Sequence, residues 1–251
     1  AVFASDTNAV ISSIPVQIRS EPCPGALRKP AQRPPRPSRH GGGPGGRQPP
    51  PAPGTDALDV PGSEVTKTRG GMRLLEALSK RQSSRDFLPD PLPLPVLSGL
   101  LWAAYGQNRA DGGRTAPSAL NAQEVDVFVA LPSGAYRYNA AAHRLDLVAG
   151  SDIRRVTGYQ DFVDEAPLDL VFVADHTRMG LVPAAQREAY AYAAAGAIAQ
   201  NVYLYAASSG LGAVIRAWID RDAIADALGL SHDQQVLLSQ TVGYGQAAPS
   251  P

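Results

Sequence analysis

The chain has 251 residues, with 23 lysines and arginines against 23 aspartates and glutamates. A formal net charge of zero carries no global signal for a nucleic-acid partner. The only cysteine is Cys23, in a proline-rich stretch, so the remainder of the chain has no disulfide, no cysteine nucleophile and no thiolate metal site.

Proline and glycine crowd the early chain: Pro34, Pro35, Pro37, Gly41 to Pro44, Pro49 to Pro51, Pro53 and Gly54, with hardly a large apolar residue between them. Such a stretch cannot bury enough surface to offset the entropy of ordering it. Residues 1–63 are therefore expected to be a disordered or polyproline-like segment, and 64–248 a single domain with a sizeable core. The basic residues Arg28, Lys29, Arg33, Arg36, Arg39 and Arg47 read as a solvated linker, with an anion-binding arm as the alternative. Ala1–Pro15 has neither a basic start nor a long apolar core, which argues against a signal peptide. Ala189–Ser209 holds Gln200, Asn201 and four tyrosines, whereas a membrane span needs ~20 mostly strongly apolar residues. No membrane partner is expected.

Met72, Leu75, Ala77 and Leu78 recur at helical spacing and predict a helix over 72–82. Pro89, Pro91, Pro93 and Pro95 mark an extended loop, and Pro93 or Pro95 can open the next helix, 94–105, which Gly106 closes. Val125–Leu131 reads as a buried strand. Gly134–Tyr138 pairs with Arg144–Val148 as a hairpin across Asn139. Ile153–Thr157 is a short helix. Leu168–Ala174 is almost continuously apolar and is expected at the centre of a sheet. Ala184–Ser209 is the longest helix, with Glu188 early and Gly210 beyond its end. Its stripe of Ala193, Gly196, Ala197 and Ala199 permits close helix approach, within a core or between subunits. Leu211–Trp218 follows as a strand. Asp220 caps a helix over 221–228 that Gly229 closes, and Val236–Tyr244 is the last strand. Interleaved helices and strands give an α+β or α/β sandwich.

His40, His143, His176 and His232 lack metal-ligand spacing, so no metal site is expected. No GxSxG elbow supports a hydrolase triad. Arg81 and Arg85, four apart near a helix end, ordinarily form a solvated face. The functional alternative is a phosphate or anionic-ring site, because guanidinium forks suit phosphate oxygens and Ser83 adds a hydroxyl. Ser118 and Asn121 are either plain turn residues or donors and acceptors for the edge of a flat heterocycle. Ser209–Ala213 is not GxGxxG and lies between a helix and a strand, the wrong order for a dinucleotide fold. Its glycines either cap the helix or let backbone approach a ligand.

Arg81-Gln82-Ser83-Ser84-Arg85-Asp86-Phe87 resembles the Arg-(Arg/His/Gln)-Ser-x-(Arg/Lys)-x-Phe signature of the nitroreductase family. Pro117-Ser118-Ala119-Leu120-Asn121-Ala122-Gln123 resembles that family's Pro-Ser-x-x-Asn-x-Gln loop. Gln200–Ala207 with Gly210-Leu211-Gly212-Ala213 is similar to its long central helix and following strand. The hairpin Gly134–Val148 is more like the SagB-type dehydrogenase branch than the drug-reducing one. The resemblance covers about residues 68–246.

The resemblance implies an α+β three-layer sandwich with a central, mostly antiparallel sheet flanked by helices. It also implies a homodimer with FMN sites at the subunit interface. Hydride would come from NADH or NADPH and pass through FMN to a small-molecule acceptor such as a nitro compound or quinone. The alternative is a flavin-binding subunit without turnover of its own, or one that depends on a complex, such as an azoline dehydrogenase partner in peptide modification. Carried over residue by residue, Arg81 and Ser83 hold the FMN phosphate and ribityl chain, and Gln82 adds a polar contact. Arg85 faces the pyrimidine edge, where its charge tunes the reduced flavin. Asn121 bonds the ring's polar edge, with Pro117, Ser118 and Ala119 beside it. The backbone of Ile215 and Arg216, after Gly212, approaches the reactive N5 region. The chemistry is flavin-centred, with no obligatory side-chain acid. Two departures stand out. The family often has a lysine or arginine after a final Gly-Tyr-Pro, whereas none follows Gly243-Tyr244-Gly245-Gln246. Arg216 stands where the drug-reducing branch has an apolar residue, and a cation near the ring would favour acidic or quinone-like acceptors.

Overall fold

Among the described residues, seven strands form one sheet: β1 (Leu58–Asp59), β2 (Val125–Leu131), β3 (Gly134–Asn139), β4 (Arg144–Ala149), β5 (Leu168–Asp175), β6 (Leu211–Arg216) and β7 (Gln234–Tyr244). The computed structural model describes residues 58–59 and 71–245. Apart from Leu58–Asp59, the N-terminal segment expected over 1–63 lies outside those residues, as do the domain limits expected at 64 and 248. The strand order is β1-β4-β3-β2-β5-β7-β6, and every neighbouring pair is antiparallel. Leu58 pairs with Leu145, so the sheet takes in two residues ahead of the expected domain start.

β5 sits between β2 and β7, where its apolar run predicts it. Successive side chains leave a strand on opposite faces, and both faces of β5 are covered. Leu168, Leu170, Phe172 and Ala174 join one core, and Val171 and Val173 join a second. That double burial explains the absence of a polar alternation in its sequence. Four helices supply the cover: α1 (Leu74–Lys80), α2 (Leu94–Tyr105), α3 (Ala184–Ser208) and α4 (Arg221–Leu228). Leu97, Leu100, Leu101 and Ala104 of α2, with Ala191, Ala195, Ile198 and Val202 of α3, recur at three- and four-residue spacing and pack on the first face. α1 lies on α3. Ile224 and Leu228 of α4, with Ile153, cover the second face. The result is the expected α+β sandwich of three layers.

Local chemistry sets the ends of α4. The Asp220 carboxylate accepts from the Ala223 N–H at 3.0 Å, and Gly229 takes the left-handed conformation at φ 63°. Close approach of α2 and α3 depends on Gly99: a Cβ there would stand 2.2 Å from the hydroxyl of Tyr205, which donates to the Val96 carbonyl at 3.1 Å. Two elements are shorter than the sequence predicts. α1 spans 74–80 rather than 72–82, because Arg73 and Arg81 are already extended, at ψ 143° and 120°. β6 stops at Arg216 rather than Trp218. Arg216 is the last residue paired with β7, and the chain then turns into the Asp220 cap.

Candidate functional site

The segment after α1 meets the edge strand β6 at Ser84 and the end of β7 at Phe87 and Leu88. The Ser84 N–H donates to the Ala213 carbonyl at 2.9 Å, the Leu88 N–H donates to the Tyr244 carbonyl at 2.8 Å, and Phe87 bridges to Gly245. Gly212 makes this possible, because a Cβ there would lie 2.9 Å from the Ser84 Cβ and 3.4 Å from the Phe87 ring. Phe87 is buried against Ala166 and Val214 and stands 5.6 Å, centroid to centroid, from Phe162. The apolar anchor and the backbone bonds fix where Arg81, Ser83 and Arg85 stand.

Arg81 and Ser83 gather around Tyr203 of α3, which is 7% exposed. Its hydroxyl oxygen is 2.9 Å from Ser83 Oγ and accepts from the Ile215 N–H, also at 2.9 Å. The Arg81 guanidinium lies over its ring, 5.3 Å from the centroid. Arg81, Ser83 and Ile215 are thus brought together, with Gly212 next to them on β6. The sequence reading includes Tyr203 only as a member of the helix. Its one signal is position, four residues after Ala199 and three before Ala206 on the buried face of α3. Gln82 lines an adjoining cavity of about 240 Å³ with Lys80, Ser84, Tyr203 and Gly245.

The arginines of the chain differ in their partners. Arg154, Arg178 and Arg216 are each paired with aspartates. Neither Arg81 nor Arg85 forms an ion pair among the described residues, and Arg85 is exposed.

Pro117, Ser118, Ala119 and Asn121 belong to a separate loop. Ser118 Oγ accepts from the Gln123 N–H at 2.9 Å, and the Gln123 amide reaches Asn121 Oδ1 at 3.2 Å and the Gly112 carbonyl at 3.1 Å. Leu120, Asn121 and Gln123 all adopt left-handed φ values, 53°, 53° and 50°. Asparagine tolerates this region better than leucine does, so the loop is a strained surface feature held by Gln123. No hydrogen bond joins it to the Arg81–Arg85 segment among the described residues. The two regions touch different sides of α3: Asn201 donates to the Thr115 carbonyl at 3.3 Å, and Tyr203 meets Ser83. Positions two apart on a helix point about 200° away from one another.

Arg216 departs from expectation. It alternates with Ile215 and so projects from the other face of β6. It is 6% exposed there and bonds Asp169 Oδ1 at 2.8 Å, Ser239 Oγ at 3.1 Å and Thr157 Oγ1 at 3.3 Å. Thr241 also donates to Asp169. The guanidinium is committed to a buried carboxylate and is not a free cation beside Tyr203. The Ile215 N–H is likewise already taken by Tyr203.

Glu124, beside the loop, carries a signal the sequence reading misses. It is fully buried, and neither of its oxygens has a side-chain hydrogen-bond partner among the described residues. Burial pushes its carboxyl above the usual carboxylate range, with the charges of Arg178 and His176 pulling the other way. Neighbouring Tyr105 is pushed up to about 12 by burial and then by the Glu124 charge.

The sequence profile of the nitroreductase family matches residues 78–244. A protein of Methanocaldococcus jannaschii described as a nitroreductase is 33% identical over 153 residues, which is 57% of this chain and 77% of the relative. A crystal structure from Ralstonia eutropha JMP134, also described as a nitroreductase, is 49% identical with a TM-score of 0.72, over 81% of this chain and 97% of its own. Two more distant structures share the fold. The Escherichia coli microcin synthetase McbBCD complex, with truncated pro-MccB17 bound, is 18% identical at TM-score 0.61, covering 80% of this chain and 79% of its own. The Vibrio harveyi NADPH:FMN oxidoreductase in complex with NAD+ is 22% identical at TM-score 0.52, covering 71% of each. With the family profile running from the end of α1 to the end of β7, the chain belongs to the nitroreductase family.

Proposed function

We propose that the chain is an FMN-dependent oxidoreductase that takes hydride from NADH or NADPH and delivers it to a small organic acceptor, a nitro compound, a quinone or a relative of these. The observation that carries this reading is Arg81, without a carboxylate partner among the described residues, gathered with the Ser83 hydroxyl at Tyr203, with the likewise unpaired Arg85 nearby in sequence, in a nitroreductase-family chain. A phosphate monoester supplies the missing counter-charge, and Ser83 and Gln82 add neutral donors. These residues fit the cofactor's phosphate and ribityl chain. Bound FMN would supply two-electron hydride chemistry, and the protein supplies binding, orientation and charge. Arg85 contributes an uncommitted positive charge for the polar ring edge. Arg216 contributes none, because Asp169 neutralises it.

We further infer that a second copy of the chain completes the site. Pro117, Ser118, Ala119 and Asn121 stand on the other flank of α3 from Ser83, so an isologous pair could set one copy's loop against the other's arginines. The outward side of α1 supports this, with Leu74 63%, Leu75 79% and Leu78 45% exposed, as do the exposed Ala193 and Gly196 on α3. The name of the Vibrio harveyi neighbour, an NADPH:FMN oxidoreductase, agrees with the cofactor and donor proposed. A second reading, the SagB-type branch and a subunit that works only inside a complex, draws on the hairpin β3–β4 and on the fold shared with the microcin synthetase.

The test is an absorption spectrum of the purified full chain before and after anaerobic NADH or NADPH. Flavin bands that bleach support the reductase. Bands that persist favour the complex-dependent subunit. No flavin after addition of FMN refutes the cofactor assignment.

A further inference from the structure

The hydroxyl of Tyr203 touches two groups, and the direction of one of the two bonds is fixed. A phenol has one proton to donate and lone pairs to accept. The Ile215 N–H can only donate, so it donates to the Tyr203 oxygen, 2.9 Å away. The Tyr203 proton remains available to Ser83 Oγ, also at 2.9 Å, in a bond where either oxygen can be the donor. Once Ser83 Oγ has accepted, its own proton is left for an acceptor outside the protein, and Ser83 is exposed. Bonds in such a chain polarise one another in the same sense. The ring of the same tyrosine carries the Arg81 guanidinium at 5.3 Å. One buried side chain therefore orients a hydroxyl donor and holds an unpaired cation beside it.

We infer that Tyr203 is a positioning residue: by accepting from the Ile215 N–H and donating to Ser83 Oγ, it commits Ser83 to donate, beside Arg81, to an anionic oxygen of the bound ligand. The inference rests on the proposed flavin site and adds to it a residue that need not touch the ligand. The backbone N–H that drives the relay belongs to the edge strand β6, on which Ser84 is also anchored.

The test is a double-mutant cycle in FMN affinity, measured by calorimetry on the full chain stripped of bound flavin. Tyr203→Phe keeps the ring under Arg81 and removes only the hydroxyl. Ser83→Ala removes the donor itself. Each is expected to weaken FMN about tenfold, the scale of one lost hydrogen bond. The double variant is expected to bind within about twofold of Ser83→Ala, because Tyr203 acts through Ser83. Additive losses overturn the inference, as does wild-type affinity in Tyr203→Phe. Circular dichroism checks folding. If Tyr203→Phe does not fold, the exposed Ser83 still decides: wild-type affinity in Ser83→Ala leaves Tyr203 nothing to act through and overturns the relay, while a tenfold loss restored by Ser83→Thr supports it. A wild-type chain that binds no FMN overturns the cofactor reading together with the relay. Binding by the wild type with an additive cycle overturns the relay alone.

Discussion

Arg81 and Arg85 carry the prediction that belongs to single side chains. Each offers a guanidinium that no carboxylate among the described residues neutralises, so each is available to an anion. Arg81→Ala and Arg85→Ala are each expected to cost FMN binding on the order of 1.5–3 kcal/mol, or about 10- to 150-fold in Kd by calorimetry. Full FMN affinity in both variants would mean that the site lies elsewhere. Glu124 makes a second prediction, in stability against pH. Burial raises its folded-state pKa above the unfolded value, so the folded chain holds the proton more readily. Its contribution is therefore complete at acidic pH and is lost as pH rises through the folded value. Glu124→Gln removes that titration. Its Tm relative to wild type is expected to rise between pH 4.5 and pH 8, by about 2–4 °C for each kcal/mol relieved. A Tm difference that is flat across this range would refute the assignment.

At the scale of elements, the contact of the 83–88 segment with β6 and the end of β7 carries the proposed site. A Cβ at position 212 would press on the Ser84 Cβ at 2.9 Å, and Ser84 is itself pinned to Ala213. Gly212→Ala is expected to cost about 1–3 kcal/mol by overpacking and to weaken FMN along with stability, since the shifted segment carries Ser83. Thermal melts and flavin titration of one preparation would test both effects. The Asp169–Arg216 pair lies farther along the same face of β6, with the guanidinium 5.5 Å from the Phe162 ring centroid. Its loss is expected to separate the two effects. Arg216→Ala strands a buried carboxylate and is expected to cost about 3–5 kcal/mol, yet at a temperature where the variant is folded it should bind FMN as the wild type does. Loss of FMN by folded Arg216→Ala would place that arginine at the ligand after all.

The whole molecule decides whether one chain is enough. The arginine segment and the Pro117–Asn121 loop lie on different flanks of α3, so a shared site predicts complementation between copies. Arg81→Ala and Asn121→Ala chains, each unable to hold FMN, are mixed, unfolded and refolded together. Half the pairs that form are then mixed, and one of the two sites in each mixed pair is intact. About a quarter of wild-type FMN binding should return. No recovery, or a monomer by analytical ultracentrifugation, would show that a single chain forms the whole site.

Much of the architecture follows from the order of residues alone. The unbroken apolar run of β5, the three- and four-residue spacing in α2 and α3, the Asp220 cap and Gly229 each encode an element through neighbours a few positions away. The donor-rich character of Arg81 to Arg85 is legible in the same way, because it is a property of side chains adjacent in the chain. Tertiary structure decided what depends on distant partners. Strand parity sends Arg216 to Asp169, 47 positions away, and Ile215 to the other side. Tyr203 meets Ser83 across 120 positions. The turn of α3 separates the loop from the arginines. Local sequence sets what a segment can offer. Only the packing of the sheet and helices sets which face it is offered to, because one step along a strand or two along a helix reverses the direction of a side chain.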